Sequence, residues 1–276
     1  MTELIRGMEL TRLSREETLA MQTRLLRKQL EWARTRSPWY RKKLEGIDVG
    51  RVSADDLSAL PFTTKEELSE HFQEFFAVPE PEIAEMVFTS GTTGSACPLL
   101  FSHHDMARLE WNEERALSLA GITKEDRVLT TCTIDRCFIA GIAYYLGLKK
   151  IGACAIRGGL NAVEGHFDAL ALLKPTVVIG VPSFLRRLGL AAREHGIPLD
   201  GVRLLLLVGE PVRTVDLALN HLGREVAEIW NADVRGTYAS SEICASLTEC
   251  SAGCGGHVPE ELVVSEIVDK DGRRVP

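Results

Sequence analysis

The stretch Met86-Val87-Phe88-Thr89-Ser90-Gly91-Thr92-Thr93-Gly94-Ser95-Ala96-Cys97-Pro98-Leu99-Leu100-Phe101-Ser102 sets a polar loop between two apolar runs. From Thr89 to Ser95 every residue is glycine, serine or threonine. Glycine accepts positive φ and lets the backbone approach a ligand, so successive N–H groups can converge on one anion while the hydroxyls add donors. By composition the loop is either a phosphate cradle or a polar hairpin turn without a ligand, because Ser/Thr/Gly clusters are ordinary loop material. A Walker loop needs Gly-Lys-Ser/Thr opening a helix. Here Gly94 leads into Ser95-Ala96-Cys97-Pro98 and then an apolar run that reads as a strand, so the loop joins strand to strand.

Beyond the loop, strand and helix signals alternate, which predicts a layered α/β fold. Ser102 with Asp105 opens a helix reaching about Gly121. A strand follows at Arg127 to Cys132, then a helix from Phe138 to Lys149 and a strand at Ala153 to Ile156. Asn161 with Glu164 caps another helix, Thr176 to Gly180 is a buried-type strand, and Pro182 starts a helix at its first turn. The continuous apolar run Arg203 to Val208 reads as a strand covered on both faces, with a helix from Thr214 and strands near Glu228 and Thr237 after it. Before the loop, capping patterns at Ser14 (with Glu17), Ser53 and Thr64 (with Glu67) predict a helical N-terminal section over residues 1–81, its first helix ended by Ser37-Pro38. The expected division is then 82–202 for an α/β part carrying the loop and 203–276 for the start of a second α/β part.

The chain of 276 residues is 45% hydrophobic, enough to bury one large or two modest cores. A net charge of −7, with no long basic run, argues against nucleic acid as the main partner. Met1 to Leu10 carries Glu3, Arg6 and Glu9 without an apolar core, and no stretch approaches ~18 apolar residues, so the chain reads as cytoplasmic, with no membrane partner. Seven cysteines without a secretion signal favour reduced thiols or metal ligands over a disulfide framework. At the far end Leu262 to Val268 alternates as a strand, and Asp271-Gly272 signals a hairpin turn. Only Arg274-Val275-Pro276 follow, so the pattern reads as a cut hairpin.

Ser90-Gly91-Thr92-Thr93-Gly94 resembles the signature loop of the adenylate-forming enzymes, the superfamily of acyl-CoA synthetases, adenylation domains and luciferases. Further segments resemble its phenylacetate-CoA ligase-like branch: Ser37 to Leu44, Leu60 to Lys65, Gly158-Gly159, Val181-Pro182-Ser183, Gly209-Glu210-Pro211 and Tyr238 to Ile243, in family order across nearly the whole chain. The resemblance implies layered mixed sheets covered by helices, the large N-terminal domain of that superfamily in truncated form. The family's small mobile C-terminal domain, its ribose-holding aspartate and its catalytic lysine are not among these residues.

The activity implied is ATP-dependent conversion of a carboxylic acid, an aryl acid by resemblance, to an acyl-adenylate, then thioester formation with coenzyme A or a carrier-protein thiol. Ser90, Gly91, Thr92, Thr93, Gly94 and Ser95 correspond to the phosphate nest, with Thr92 and Thr93 its chief side chains. Gly209, Glu210 and Pro211 line one side of adenine (ATP or AMP), Tyr238 stacks on it, Ser241 belongs to the same segment, and Glu242 takes the Mg²⁺ position, a hard cation suiting carboxylate and phosphate oxygens. Bare sequence leaves the alternatives open, Glu242 as a solvated surface residue and Tyr238 as a core aromatic. Ala239 stands where the family usually has glycine, and Cys97-Pro98 where many members have lysine, an absence shared by the phenylacetate branch. Arg136 is placed to meet a polar group of the substrate, or to form a surface pair with Asp135, and Phe138 to flank an aryl ring.

Cys244, Cys250, Cys254 and His257 cluster within fourteen residues. They supply soft ligands at irregular spacing: either a structural Zn²⁺ held by Cys250, Cys254 and His257, or buried thiols and an ordinary histidine. The alternatives to the ligase reading are a nucleotide-binding remnant without independent catalysis, completed by a separate chain, and a zinc-stabilised structural protein; the protein partners expected are a second copy in a homodimer or a separate C-terminal fragment.

Overall fold

The computed structural model describes residues 13–89 and 97–275. The described residues fall into two compact units, the first from 13–86, 97–103 and 259–275 and the second from 87–89 and 104–258.

In the first unit, helix α1 (Arg15–Arg36) begins at a reciprocal capping box: the Glu17 N–H donates to Ser14 Oγ at 3.2 Å and the Ser14 N–H to Glu17 Oε2 at 2.7 Å. Ser37 ends α1 and caps α2 (Pro38–Lys43), where Pro38 costs no hydrogen bond because first-turn N–H groups have no intrahelical acceptor. Trp39 stacks between His71 and Phe75, and α3 (Lys65–Glu70) carries the Thr64–Glu67 capping box. Ser53 does not start a helix. Asp56 Oδ1 accepts the Ser58 N–H at 3.0 Å and closes a turn, the competing use of short polar side chains.

Strands β1 (Ile83–Phe88) and β2 (Pro98–Ser102) form a two-stranded sheet, so the glycine loop is a strand-to-strand connection as its sequence predicts. Near the end, Asp269 and Arg273 close the expected turn, with Gly272 at φ +76°, but the alternating run before it makes only the Val268–Arg274 bridge.

The second unit is a seven-stranded sheet between helices. Its strands are β3 (Arg127–Thr130), β4 (Cys154–Arg157), β5 (Val177–Gly180), β6 (Leu204–Val208), β7 (Asp233–Ser240), β8 (Ala245–Glu249) and β9 (Gly256–His257), in the order β4-β3-β5-β6-β7-β8-β9. The first five in that order are parallel, and β8 and β9 are antiparallel. Side chains alternate along each strand, and both faces are apolar. Leu205, Leu207 and Val178 join one core with Leu185, Leu188, Val226 and Trp230, from α6 (Pro182–Glu194) and α7 (His221–Trp230). Leu204, Leu206, Val177 and Ile179 join a second core with Leu117, Tyr144 and Leu148, from α4 (His103–Leu119) and α5 (Ile139–Ile151). At Gly189 a Cβ would lie 2.5 Å from Ile229 Cγ2, so glycine lets α6 and α7 pack closely, and the buried Trp230 Nε1–H donates to the Leu185 carbonyl at 2.9 Å.

Three local expectations shift. Asn161 Nδ2 donates to the Gly158 carbonyl, and residues Val163–His166 form only a 3₁₀ turn, followed by a π-type turn at Ala169–Leu173. Thr214 spends its hydroxyl on Asp216 and Ala218, and the helix starts six residues later at Asn220, whose Oδ1 accepts the Gly223 N–H. Glu228 therefore lies in α7, because Gly223, Val226, Ile229 and Trp230 fall on one buried helical face, and the strand begins at Asp233.

At the amino ends of β3, β5 and β6, buried Asp126 accepts from the Arg203 guanidinium (2.6 and 3.1 Å), Thr176 Oγ1 (2.7 Å) and the Thr123 N–H (2.8 Å). That fastening leaves the opposite, carboxyl ends of the parallel strands for a ligand, where such sheets bind.

Candidate active site

Where β6 ends, Gly209 takes φ +85°, a conformation open to glycine, and the chain turns into Glu210-Pro211. The Glu210 carboxylate accepts the Ser183 N–H at 2.9 Å and the Ser183 hydroxyl at 2.7 Å. It thereby caps α6 from outside, since Val181 at the cap position has no side-chain acceptor. Two motifs far apart in sequence, Val181-Pro182-Ser183 and Gly209-Glu210-Pro211, are locked together by one side chain.

Alongside β7 and β8 lies a cavity of about 580 Å³, lined by Gly209, Glu210, Pro211 and Tyr238 among others. Sequence reasoning assigned all four to the nucleotide, and the fold brings them to one place. Tyr238 is 66% exposed, so it is not a core aromatic, and its ring is available to a ligand. Leu247 pairs with Tyr238 across the ribbon and lines the same cavity.

The floor holds a pair that no motif indicated. The Arg213 guanidinium meets Glu249 in a two-pronged contact, Nε to Oε1 at 2.9 Å and Nη2 to Oε2 at 2.8 Å, and the Gly236 N–H adds a third bond at 2.9 Å. Burial pushes the Glu249 carboxyl up, but Arg213 and the Gly236 N–H outweigh it, and the net shift is below the usual carboxylate range.

After β7 the chain turns through Ser241 to Cys244. Ser240 Oγ donates to Glu242 Oε2 at 2.5 Å, holding an exposed carboxylate at the carboxyl end of the strand. Cys244 is buried with φ +50°, and burial pushes its thiol up to about 11. The segment after β3 also strains: Arg136 and Cys137 have φ of 61° and 53°, and both are exposed. Asp135 accepts the Thr133 hydroxyl. Ser90, Gly91, Thr92, Thr93, Gly94 and Ser95 lie outside the described residues.

The cysteine cluster does not assemble as a metal centre. His257 hydrogen-bonds the Cys250 thiol and draws it below its ordinary range, with help from the Ala252 N–H. The Cys254 thiol instead donates to the Ala252 carbonyl at 3.3 Å, and buried Cys244 faces the Asp105 carbonyl. Among the described residues no three His, Cys, Asp or Glu side chains converge to hold a metal ion.

On the opposite face of the β7–β8 ribbon, Thr237 and Thr248 share a buried hydroxyl bond of 2.7 Å, and Ser246 lies across from Ala239. Ser246 Oγ donates to Glu113 Oε1 at 2.7 Å, and Asn112 Nδ2 reaches both Ser246 Oγ (3.1 Å) and Glu113 Oε1 (3.3 Å). Glu113 is 3% exposed, and among the described residues its Oε2 has no hydrogen-bond partner. Burial raises its pKa to about 7, with the Ser246 and Asn112 bonds opposing. The signal was in the helix phase: Leu109, Ala116 and Leu117 are buried, and 112 and 113 fall on the same stripe.

A family model, AMP-binding enzyme, matches residues 30–276. The chain belongs to the AMP-binding enzyme family. Among its relatives, the phenylacetate-coenzyme A ligase of Thermus thermophilus is 26% identical over 272 residues, covering 95% of this chain and 60% of that protein. The Escherichia coli phenylacetate-coenzyme A ligase is 26% identical over 173 residues, 61% of this chain and 39% of that one. This AMP-binding chain thus spans 60% of the length of the Thermus relative. In fold it is similar to a 2-hydroxyisobutyryl-CoA ligase crystallised with its acyl-AMP and CoA, at a TM-score of 0.86 and 22% identity, over 96% of this chain and 58% of that one. Among the described residues no helix is long and apolar enough to cross a membrane.

Proposed function

We propose that the protein activates a carboxylic acid with ATP, forming an acyl-adenylate and releasing pyrophosphate, and passes the acyl group to the thiol of coenzyme A. The observation that carries this reading is the cavity beside β7, where Gly209-Glu210-Pro211 and an exposed Tyr238 meet in a family defined by AMP binding. Its volume falls within the ~300–1,000 Å³ of small-molecule sites. Tyr238 offers a face for adenine, and Gly209 and Pro211 present backbone to the other side. The Glu210 carboxylate is committed to Ser183, so its part is to hold that wall in place.

Glu242, exposed and steadied by Ser240, suits a hard divalent cation that also takes phosphate oxygens. Mg²⁺ bound there would supply charge neutralisation for the departing pyrophosphate. Thr92 and Thr93, with Ser90, Gly91 and Gly94, are the proposed phosphate donors, and Ser241 completes the segment that passes the nucleotide. Relatives named for phenylacetate and, at 26% identity over 152 residues, a feruloyl-CoA synthase support an aryl acid.

The test is acid-dependent exchange of labelled pyrophosphate into ATP, with Mg²⁺ and a panel of aryl and short aliphatic acids. Exchange with aryl acids is expected. No exchange with any acid, together with no ATP binding, refutes the proposal.

A further inference from the structure

Among the described residues Glu113 Oε2 is a buried carboxylate oxygen without a hydrogen-bond partner, whereas Asp126 accepts five bonds and Glu249 three. Leaving such an atom unpaired is costly, and native interiors rarely do it without a reason. The surrounding groups make the defect specific. Ser246 and Asn112 both donate to Oε1, which fixes the carboxyl plane and leaves the lone pairs of Oε2 unused. Gly147 of α5 lies so close that a Cβ there would sit 2.6 Å from Glu113 Cβ, so α5 packs directly against the stem of this side chain. Tyr144 and Cys132 are the other titratable neighbours from α5 and the segment after β3, and Cys244 the one from the turn before β8.

Position adds the second strand of the argument. Tyr238 and Leu247 face the cavity, and Ser246, one residue on, faces away from it. A ligand whose base lay against Tyr238 and whose phosphate passed the Ser240–Glu242 turn would have to round that turn to bring its acyl end to the other face of the ribbon, where Ser246 and Glu113 meet. Cys132, electrostatically coupled with Glu113 to the same Tyr144, opens the Cys132 to Phe138 segment.

Resting on the adenylation reading above, we propose that Glu113 is a specificity-determining residue that accepts a hydrogen bond from an O–H or N–H group on the acyl portion of the substrate. The acid used therefore carries such a donor, as a hydroxy or amino acid of aryl type does, and the unsubstituted acid is the poorer ligand. A site built to bond a substrate donor discriminates against the analogue that lacks it, because its own buried acceptor is then stranded.

The test uses acyl-sulfamoyl adenosines, non-reactive mimics of the acyl-adenylate, so that binding is read without turnover. Phenylacetyl sulfamoyl adenosine is compared with its 2-, 3- and 4-hydroxy and 4-amino counterparts, and 5′-O-sulfamoyladenosine reports the nucleotide part alone. At least one donor-bearing probe is expected to bind the parent about tenfold or more tightly than the phenylacetyl probe. In Glu113→Gln that ratio is expected to fall to within about threefold. Equal binding of all acyl probes by the parent overturns the proposal with no variant needed, as does a preference that survives in a folded Glu113→Gln protein. Failure of 5′-O-sulfamoyladenosine and every acyl probe to bind overturns the nucleotide reading and this proposal with it, whereas tight binding without discrimination overturns this proposal alone.

Discussion

Replacing Glu113 with glutamine tests the energetics of its burial independently of any ligand. The carboxyl pKa is about 7 in the folded protein against an ordinary 4.5, and desolvation is the leading cause. A raised acid pKa means that the folded state holds its proton more tightly than the unfolded chain. Between pH 4.5 and 7 the unfolded chain has lost that proton and the folded one keeps it, so stability declines across this window and levels off above it. Each pKa unit corresponds to ~1.36 kcal/mol, so the decline amounts to about 3 kcal/mol, a large share of the ~5–15 kcal/mol that a domain commands. Glutamine keeps an oxygen for Ser246 and Asn112 and cannot ionise. The variant should match the parent near pH 4.5 and exceed it by up to about 3 kcal/mol near pH 7 and above. The neighbours do not blur the result: burial pushes the Cys132 thiol up to about 12 and the Cys244 thiol to about 11, and raises the Tyr144 hydroxyl well above its normal range. Urea unfolding followed by tryptophan fluorescence at pH 5, 6, 7 and 8 gives both curves. Parallel curves, offset by a constant, would refute the assignment of a buried, neutral carboxyl.

Other perturbations separate binding from folding. Tyr238→Ala should weaken ATP binding about tenfold or more, since base–aromatic stacking contributes ~1–3 kcal/mol, while an exposed ring leaves unfolding free energy within ~0.5 kcal/mol; unchanged affinity in a calorimetric titration rejects the stacking role. Arg213→Ala strands Glu249 and should destabilise the fold by about 3–5 kcal/mol, with the Arg213→Met/Glu249→Leu double variant recovering most of the loss in the same unfolding assay. Glu210→Ala removes the external cap of α6 and should cost about 1 kcal/mol, so a stability loss near zero would contradict the capping role.

Much of the second unit was legible because its strands are buried on both faces. Leu204 to Val208 is an unbroken apolar run whose alternate leucines enter two separate cores. The helix starts at Ser14 and Thr64 were legible for a local reason: the reciprocal Glu at the third position closes a ring of two bonds whatever the rest of the chain does. Ser53 and Thr214 carry the same residue type without starting a helix: Thr214 spends its hydroxyl on Asp216, and Ser53 Oγ meets Thr23 Oγ1 of α1 at 3.4 Å. The resemblance proposes Gly209-Glu210-Pro211 and Tyr238 as a nucleotide wall, yet no linear motif states that the Glu210 carboxylate closes on Ser183, because that contact exists only once β6 and α6 are adjacent.

Glu113 is the instructive omission. Its neighbours Leu109, Ala116 and Leu117 define the buried stripe of α4, and the sequence puts asparagine and glutamate at the two central places of that stripe. A valine or leucine at 113 would bury without an unpaired oxygen, and replacing buried ionisable groups by apolar ones of similar volume is often neutral or stabilising. Fold stability therefore does not account for the carboxyl: its partners Ser246 and Asn112 engage Oε1, and among the described residues Oε2 has no hydrogen-bond partner. On the proposal above, this polar residue on the apolar phase of a helix answers to the ligand rather than to the core. Burial raises the Glu113 pKa, with the bonds to Oε1 alone opposing it: a probe that supplies a donor to Oε2 should lower the pKa toward its ordinary value, and a probe that lacks one should leave the pH dependence of stability unchanged.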